Sequence, residues 1–237
     1  MRSKYILFII MFIILGLSVP RFLSSDSEYV IEEGSDGSKI LVEYKGNGGE
    51  IIIPDKLNIT EIGENAFQSN SNITKIKSNT VKKIEVKVFS DCSSLTSVDL
   101  PNVEIISAYA FDGCSKLESV NFPKAKIIEK FAFYDCSSLE SVDFPSVETI
   151  EECAFGDCSK LESVNFSKVK TIGFSAFSGC ESLSVFLGNP DIVSIGVNAF
   201  TTYNNSRIPL DFDLETYLGF ELVDTTYGHE YEKIRWF

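Results

Sequence analysis

Histidine is almost missing: His229 is the only one in 237 residues. With no second imidazole and no Cys-x-x-Cys pair, the residue sets that usually hold zinc are not available. No Gly-x-Ser-x-Gly elbow, phosphate loop or dinucleotide fingerprint occurs, so the commonest signatures of hydrolases and nucleotide-dependent enzymes are absent too. Nothing in the chain calls for a cofactor or a metal. Basic residues are few, 21 Lys and Arg against 34 Asp and Glu, for a net charge of -13. Such a surface repels nucleic acid and anionic lipid heads and favours basic partners, and it also serves solubility. Long apolar runs are missing after the first 19 residues. The one run, residues 5–19, is broken only by Gly16 and Ser18 and follows Arg2 and Lys4. It falls short of the roughly 20 residues of a membrane span. It reads as the core of a signal peptide cut near Ser24 to Asp26, or as an uncleaved N-terminal anchor, the only membrane contact the sequence offers. Residues 1–25 carry Arg2, Lys4 and Arg21 and no acid, so their removal leaves -13 - 3 = -16.

What the chain does have is repetition. Cys92, Cys114, Cys136, Cys158 and Cys180 are spaced by 22. Phe67, Phe89, Phe111, Phe133, Phe155 and Phe177 keep the same period, and Phe200 follows one residue late. Leucines 95 to 183, valines 98 to 164 and isoleucines 62 to 172 form three more columns in phase. Stacked coils need this pattern, because each coil buries its apolar face only against its neighbours.

One repeat reads as local structure. In Leu117-Glu118-Ser119-Val120-Asn121-Phe122, Leu117, Val120 and Phe122 point inward, with the alternation of a strand. Pro123 ends that strand, since it has no N–H for a ladder. Ala125-Lys126-Ile127-Ile128 makes a second short extended piece. Phe131-Ala132-Phe133-Tyr134-Asp135-Cys136 is too short for a stable helix and suits one helical or 3₁₀ turn. Equivalent strands are then parallel, about 4.8 Å apart, in one continuous sheet.

Ile62-Gly63-Glu64-Asn65-Ala66-Phe67, its echo Ile172-Gly173-Phe174-Ser175-Ala176-Phe177, the Cys-x-x-Leu after each Ala-Phe, and the closing Pro resemble the BspA-like branch of the leucine-rich repeat family. Tyr44-Lys45-Gly46-Asn47-Gly48-Gly49-Glu50-Ile51-Ile52-Ile53-Pro54 looks like the opening strand of such an array. The resemblance covers about residues 40–200, with a period of 22 where 23 is commoner. It implies an α/β leucine-rich repeat solenoid of six to seven coils, with a parallel β-sheet and short helical or 3₁₀ turns. It also implies a secreted or cell-surface protein concerned with adhesion, host matrix binding or immune exposure.

The coils alternate as well as repeat. Residues 92–135 match 136–179 at 27 of 44 positions, as if a two-coil unit had duplicated. Asp99, Asn121, Asp143 and Asn165 form one alternating column; Lys82, Glu104, Lys126, Glu148 and Lys170 form another. Both place unlike groups next to each other along the stack, which controls repulsion and register. Glu118, Glu140 and Glu162 do not alternate. Flanked by Ser119, Ser141 and Ser163 on the exposed face of the main strand, they form the candidate binding strip, for a protein or glycan ligand such as a basic host surface or matrix protein. The alternative is a merely solvated face.

Six cysteines in an exported chain would suggest disulfides. Five, however, share one column, where side chains in register point the same way, so a ladder of free buried thiols is expected. Cys153 lies outside it, in the slot of Tyr109, Phe131 and Ser175, where it is expected to be partly exposed and reactive. The enzyme alternative is a solenoid glycan hydrolase using Glu118, Glu140 and Glu162 with Asp99 and Asp143, but catalysis needs two carboxylates in unlike environments and these columns are uniform. The expected function is therefore non-catalytic binding, with a structural surface coat as a further alternative. The expected organisation is a signal or anchor segment over 1–25, an N-terminal β cap over 26–60 with a hairpin turn at Gly46-Asn47-Gly48-Gly49, a solenoid over 61–200, and a C-terminal cap over 201–237. Asn58, Asn72, Asn165 and Asn204 stand in glycosylation triplets.

Overall fold

The computed structural model describes residues 22–24, 28–189 and 191–202. The hydrophobic leader, His229, the Asn204 triplet and nearly all of the expected C-terminal cap lie outside the described residues.

Each coil has three sides, and main-chain hydrogen bonds join each side to the next coil except at one junction on the first side. The first side carries the main strands, with Ser119–Asn121 in register on Ser97–Asp99 and Ser163–Asn165 on Ser141–Asp143. The second carries two-residue strands such as Ile105–Ile106, Ile127–Ile128 and Thr149–Ile150, all parallel. The third is the turn side. There Phe131, Phe133 and Asp135 donate N–H bonds to the carbonyls of Glu152, Ala154 and Gly156 in the next coil, at 2.9, 2.8 and 2.9 Å. Ala132 and Tyr134, between them, donate back along their own coil to Glu129 and Phe131, and Cys136 does so to Phe133.

That alternation corrects the expected fold class. A helical turn needs consecutive N–H groups to bond backwards along the same chain. Here every second one crosses to the neighbouring coil. Two residues in the left-handed region also bound each turn, Phe131 at φ 57° and Asp135 at φ 53° in this coil. Among the described residues the only helical element is the 3₁₀ turn Asp55–Leu57, in the N-terminal part. Over the described residues the fold is a β-solenoid rather than the expected α/β one.

The continuous sheet is also not the expected one. The second-side strands run unbroken through ten strands, including the N-terminal hairpin. The main strands split into a four-stranded sheet ending at Ser119–Asn121 and a three-stranded sheet beginning at Ser141–Asp143. Leu100, Phe144 and Phe166 donate N–H bonds of 3.3, 3.0 and 2.7 Å to the next coil. Phe122 has no such bond among the described residues. The seam opens one side only: Ile127–Ile128 still pairs with Thr149–Ile150, and the Phe122 and Phe144 rings remain 5.8 Å apart.

The core is aromatic. Phe67, Phe89, Phe111, Phe133, Phe155, Phe177 and Phe200 stack along the axis with centroids 5.0–5.2 Å apart. Phe122, Phe144, Phe166 and Phe186 tilt against them as a second column. Stacked pairs of this kind add roughly 0.5–1.5 kcal/mol each beyond the area they bury. At the N-terminal end Tyr44 continues the first column over Phe67 at 5.4 Å, and Tyr29 covers Tyr44 at 5.6 Å. Both tyrosines come from an antiparallel hairpin, Tyr29–Glu33 on Lys39–Tyr44. Its turn is closed by Gly34 and Ser38, not by Gly46 to Gly49 as expected. Gly49 instead starts a main strand paired in parallel with Ile73–Lys77.

Candidate partner-binding surfaces

Glu118, Glu140 and Glu162 all lie just ahead of a main strand, on its outer side. Ser119 and Ser141 are exposed beside them, and Ser163 is half-buried. The structure joins only part of this strip directly. Glu162 donates its N–H to the Glu140 carbonyl at 2.8 Å, whereas Glu118 bonds back to Thr96 and lies across the seam. Ser119 reaches Ser97 at 3.1 Å through its hydroxyl. At the seam Val120 is only half-buried, while Val98, Val142 and Val164 in the same column are buried. The centre of the strip is therefore its most open point.

The two alternating columns resolve into dyads. The Asn121 amide donates to Asp99 at 2.7 Å and that of Asn165 to Asp143 at 2.8 Å. Lys126 pairs with Glu104 at 2.6 Å and Lys170 with Glu148 at 2.7 Å. All four links fall inside a two-coil unit, and none crosses the seam. The ammonium groups of Lys126 and Lys170 hold the carboxyls of Glu104 and Glu148 below the usual range by hydrogen bonding and charge. These pairs are exposed, so water and salt screen them and they set register more than stability. They also occupy the carboxylates flanking the strip, while Glu118, Glu140 and Glu162 have no ion-pair partner among the described residues. Of the glycosylation triplets, Asn72 is exposed, and Asn165 is half-buried with its amide engaged.

Sequence reasoning missed the turn side. Asn65, Lys87, Tyr109, Phe131, Cys153, Ser175 and Asn198 all adopt positive φ, between 50° and 59°. Asparagine takes that region readily; bulky side chains do so at about 1–3 kcal/mol each. Tyr109 and Phe131 nevertheless stack there, 5.0 Å apart and 2° from parallel. Lys87 places its ammonium 5.6 Å above the Tyr109 ring. Tyr134 meets Phe131 edge-on at 5.6 Å and donates its hydroxyl to Asp157 at 2.6 Å. That carboxylate acceptor pushes the Tyr134 hydroxyl up to about 12. The visible signal was the odd slot holding Tyr, Phe, Cys and Ser where neighbouring columns hold one residue type.

The cysteine column is a free ladder. Cys92, Cys114, Cys136, Cys158 and Cys180 are fully buried. Each thiol donates to the carbonyl of the phenylalanine 25 residues earlier, at 3.0–3.2 Å. Burial pushes Cys92 up to about 12 and raises Cys114, Cys136 and Cys180 as well. Cys153 is half-buried, as expected, but not activated. Burial first, then the charges of Glu152 and Asp157, push its thiol up to about 11, and the thiolate is the reactive form. Among the described residues no cluster of three or more His, Cys, Asp or Glu is arranged to hold a metal.

The chain is similar to several solved bacterial structures. A leucine-rich repeat protein of T. pallidum is 25% identical, covers 75% of this chain and 87% of its own, and superposes with a TM-score of 0.67. A leucine-rich repeat protein of Eubacterium ventriosum is 27% identical over 74% of this chain and 50% of its own, with a TM-score of 0.62. A leucine-rich cell surface protein of Faecalibacterium prausnitzii shares the fold at 23% identity, with a TM-score of 0.52 over 78% of this chain and 47% of its own. No curated protein matches the sequence. The profile of the BspA type leucine rich repeat region fits six copies, over residues 44–127 and 126–217. With that profile spanning most of the chain, and with this coil geometry, the protein belongs to the BspA-type leucine-rich repeat family.

Proposed function

We propose that this protein is a secreted or cell-surface module that binds a protein or glycan partner, without catalysis, across the outer face of its main strands. The observation that carries this reading is the Glu118, Glu140, Glu162 strip. It keeps like charges on successive coils while the carboxylates beside it are engaged by Asn or Lys. An exposed parallel face is what solenoids use for recognition, and unpaired acids on it draw a basic partner over distances set by ionic strength. Family membership supports a binding role, and the F. prausnitzii relative, described as a cell surface protein, supports the location. The test is a panel of immobilised basic and neutral matrix proteins and neutral and charged oligosaccharides. Salt-sensitive capture of a basic protein is the expected result. Turnover of any oligosaccharide would overturn the non-catalytic reading, and capture independent of salt would move the site off the strip.

A further inference from the structure

We propose that the turn side carries a second recognition site, a notch beside Cys153 on the face of Phe131 that no ring covers, which receives the cationic side chain of an arginine or lysine in a basic protein segment. The site goes beyond the main-strand strip and is independent of it, since it lies on a different side of each coil.

The ring stack on this side has two ends. At one end the Lys87 ammonium sits 5.6 Å over Tyr109, so the molecule already places a cation on this stack. At the other end the column continues from Phe131 to Cys153 and then Ser175, side chains too short to carry the stack on. Phe131 is half-buried and has Tyr109 on one face only. Tyr134 walls the notch edge-on. Its ring lies over Gly156, where a Cβ would meet Tyr134 Cδ2 at 2.8 Å, so that glycine makes room for the wall. The Tyr134 hydroxyl in turn fixes the Asp157 carboxylate at 2.6 Å.

The charge around this end is negative. Glu152 is exposed next to Cys153 and has no ion-pair partner among the described residues, and Asp157 is half-buried beside the wall. Both lie close enough to Cys153 to bear on its thiol. The Glu151 carboxylate accepts the Lys130 N–H at 3.1 Å, just ahead of Phe131. Lys130 is the one cation at this level; it is exposed and makes no ion pair among the described residues. An aromatic face with carboxylates beside it attracts a guanidinium or ammonium through the ring quadrupole and through charge, and it repels an anion. The net charge of -13 adds to the same preference.

The test is titration of the protein with N-acetyl-arginine amide and with its neutral isostere N-acetyl-citrulline amide, followed by NMR at Phe131, Tyr134 and Cys153. The arginine compound shifts these signals saturably and the citrulline compound does not. Cys153→Leu fills the notch with an aliphatic side chain that offers a cation no ring face, and it weakens arginine binding about tenfold. Phe131→Ser, using the residue that occupies the slot at Ser175, removes the platform with the same effect if the first variant fails to fold. Replacing Glu118, Glu140 and Glu162 by Gln leaves these shifts unchanged, which separates this site from the main-strand strip. Equal shifts with citrulline, with a neutral pyranoside or with indole, or binding that survives both notch variants, would overturn the proposal.

Discussion

Phe133 sits between Phe111 and Phe155 and is tilted against Phe122 and Phe144, with no exposed surface. Truncating it to Ala leaves a void that neighbours locked in their own stacks fill only in part. The expected loss is about 3–5 kcal/mol in chemical denaturation. An unchanged transition would mean the ring column is not the core. The thiols make a second residue-level prediction. Native protein at pH 8 reacts slowly with an aromatic disulfide reagent at all six cysteines, and reducing agent leaves its stability unchanged; one intact Cys114 to Cys136 bridge in unreduced protein would contradict the ladder. Because burial raises the folded pKa of Cys92 from 9.0 to about 12, the unfolded chain releases its proton first as pH rises. The contribution of this buried thiol is therefore full below about pH 9 and is lost from there toward pH 12, with each thiol raised in this way steepening the slope by up to about 1.4 kcal/mol per pH unit. Both columns were legible in the sequence, because a strict period of 22 in Phe and Cys permits only an inward, in-register placement. The state of Cys153 was not legible, because its thiol answers first to burial and then to Glu152 and Asp157 as the fold places them around a left-handed turn.

At the scale of elements, the main strand over 119–121 and the second strand over 127–128 were both readable, the first from alternation and the closing Pro123, the second from its Ile pair. The turn after them was misread as helical. A local pattern of six residues does not reveal that alternate N–H groups bond to the next coil. The seam was equally hidden: Glu118 to Phe122 and Glu140 to Phe144 are nearly the same sequence, yet they form facing sheet edges with no ladder between them. Hydrogen exchange tests this directly. The Phe122 amide is expected to exchange faster than those of Leu100, Phe144 and Phe166, whose N–H groups are bonded across coils. Equal protection at the four positions would show the main sheet to be continuous.

For the whole molecule, the duplicated two-coil unit explains how an acidic solenoid manages its charge. Each unit pairs Asp with Asn and Glu with Lys, and leaves Glu118 in the first unit and Glu140 and Glu162 in the second without an ion pair among the described residues on the main-strand face. The solenoid itself, and the residues that make up the strip, are legible in the repeat of the sequence. The pairing of flanking charges within units, which leaves the strip as the unpaired remainder, is not, because pairing depends on which coil each side chain leans toward. The account stands on the claim that this remainder is used. The measurement that tests it most directly is the association rate of a basic partner from the binding panel with the native chain and with the Glu118→Gln, Glu140→Gln, Glu162→Gln variant, across a range of salt. Gln keeps shape and hydrogen-bonding capacity while removing charge and self-repulsion. The account predicts equal or slightly higher stability for the variant, a slower association, and a loss of most of the salt dependence. Association at the native rate, with the native salt dependence, would contradict it.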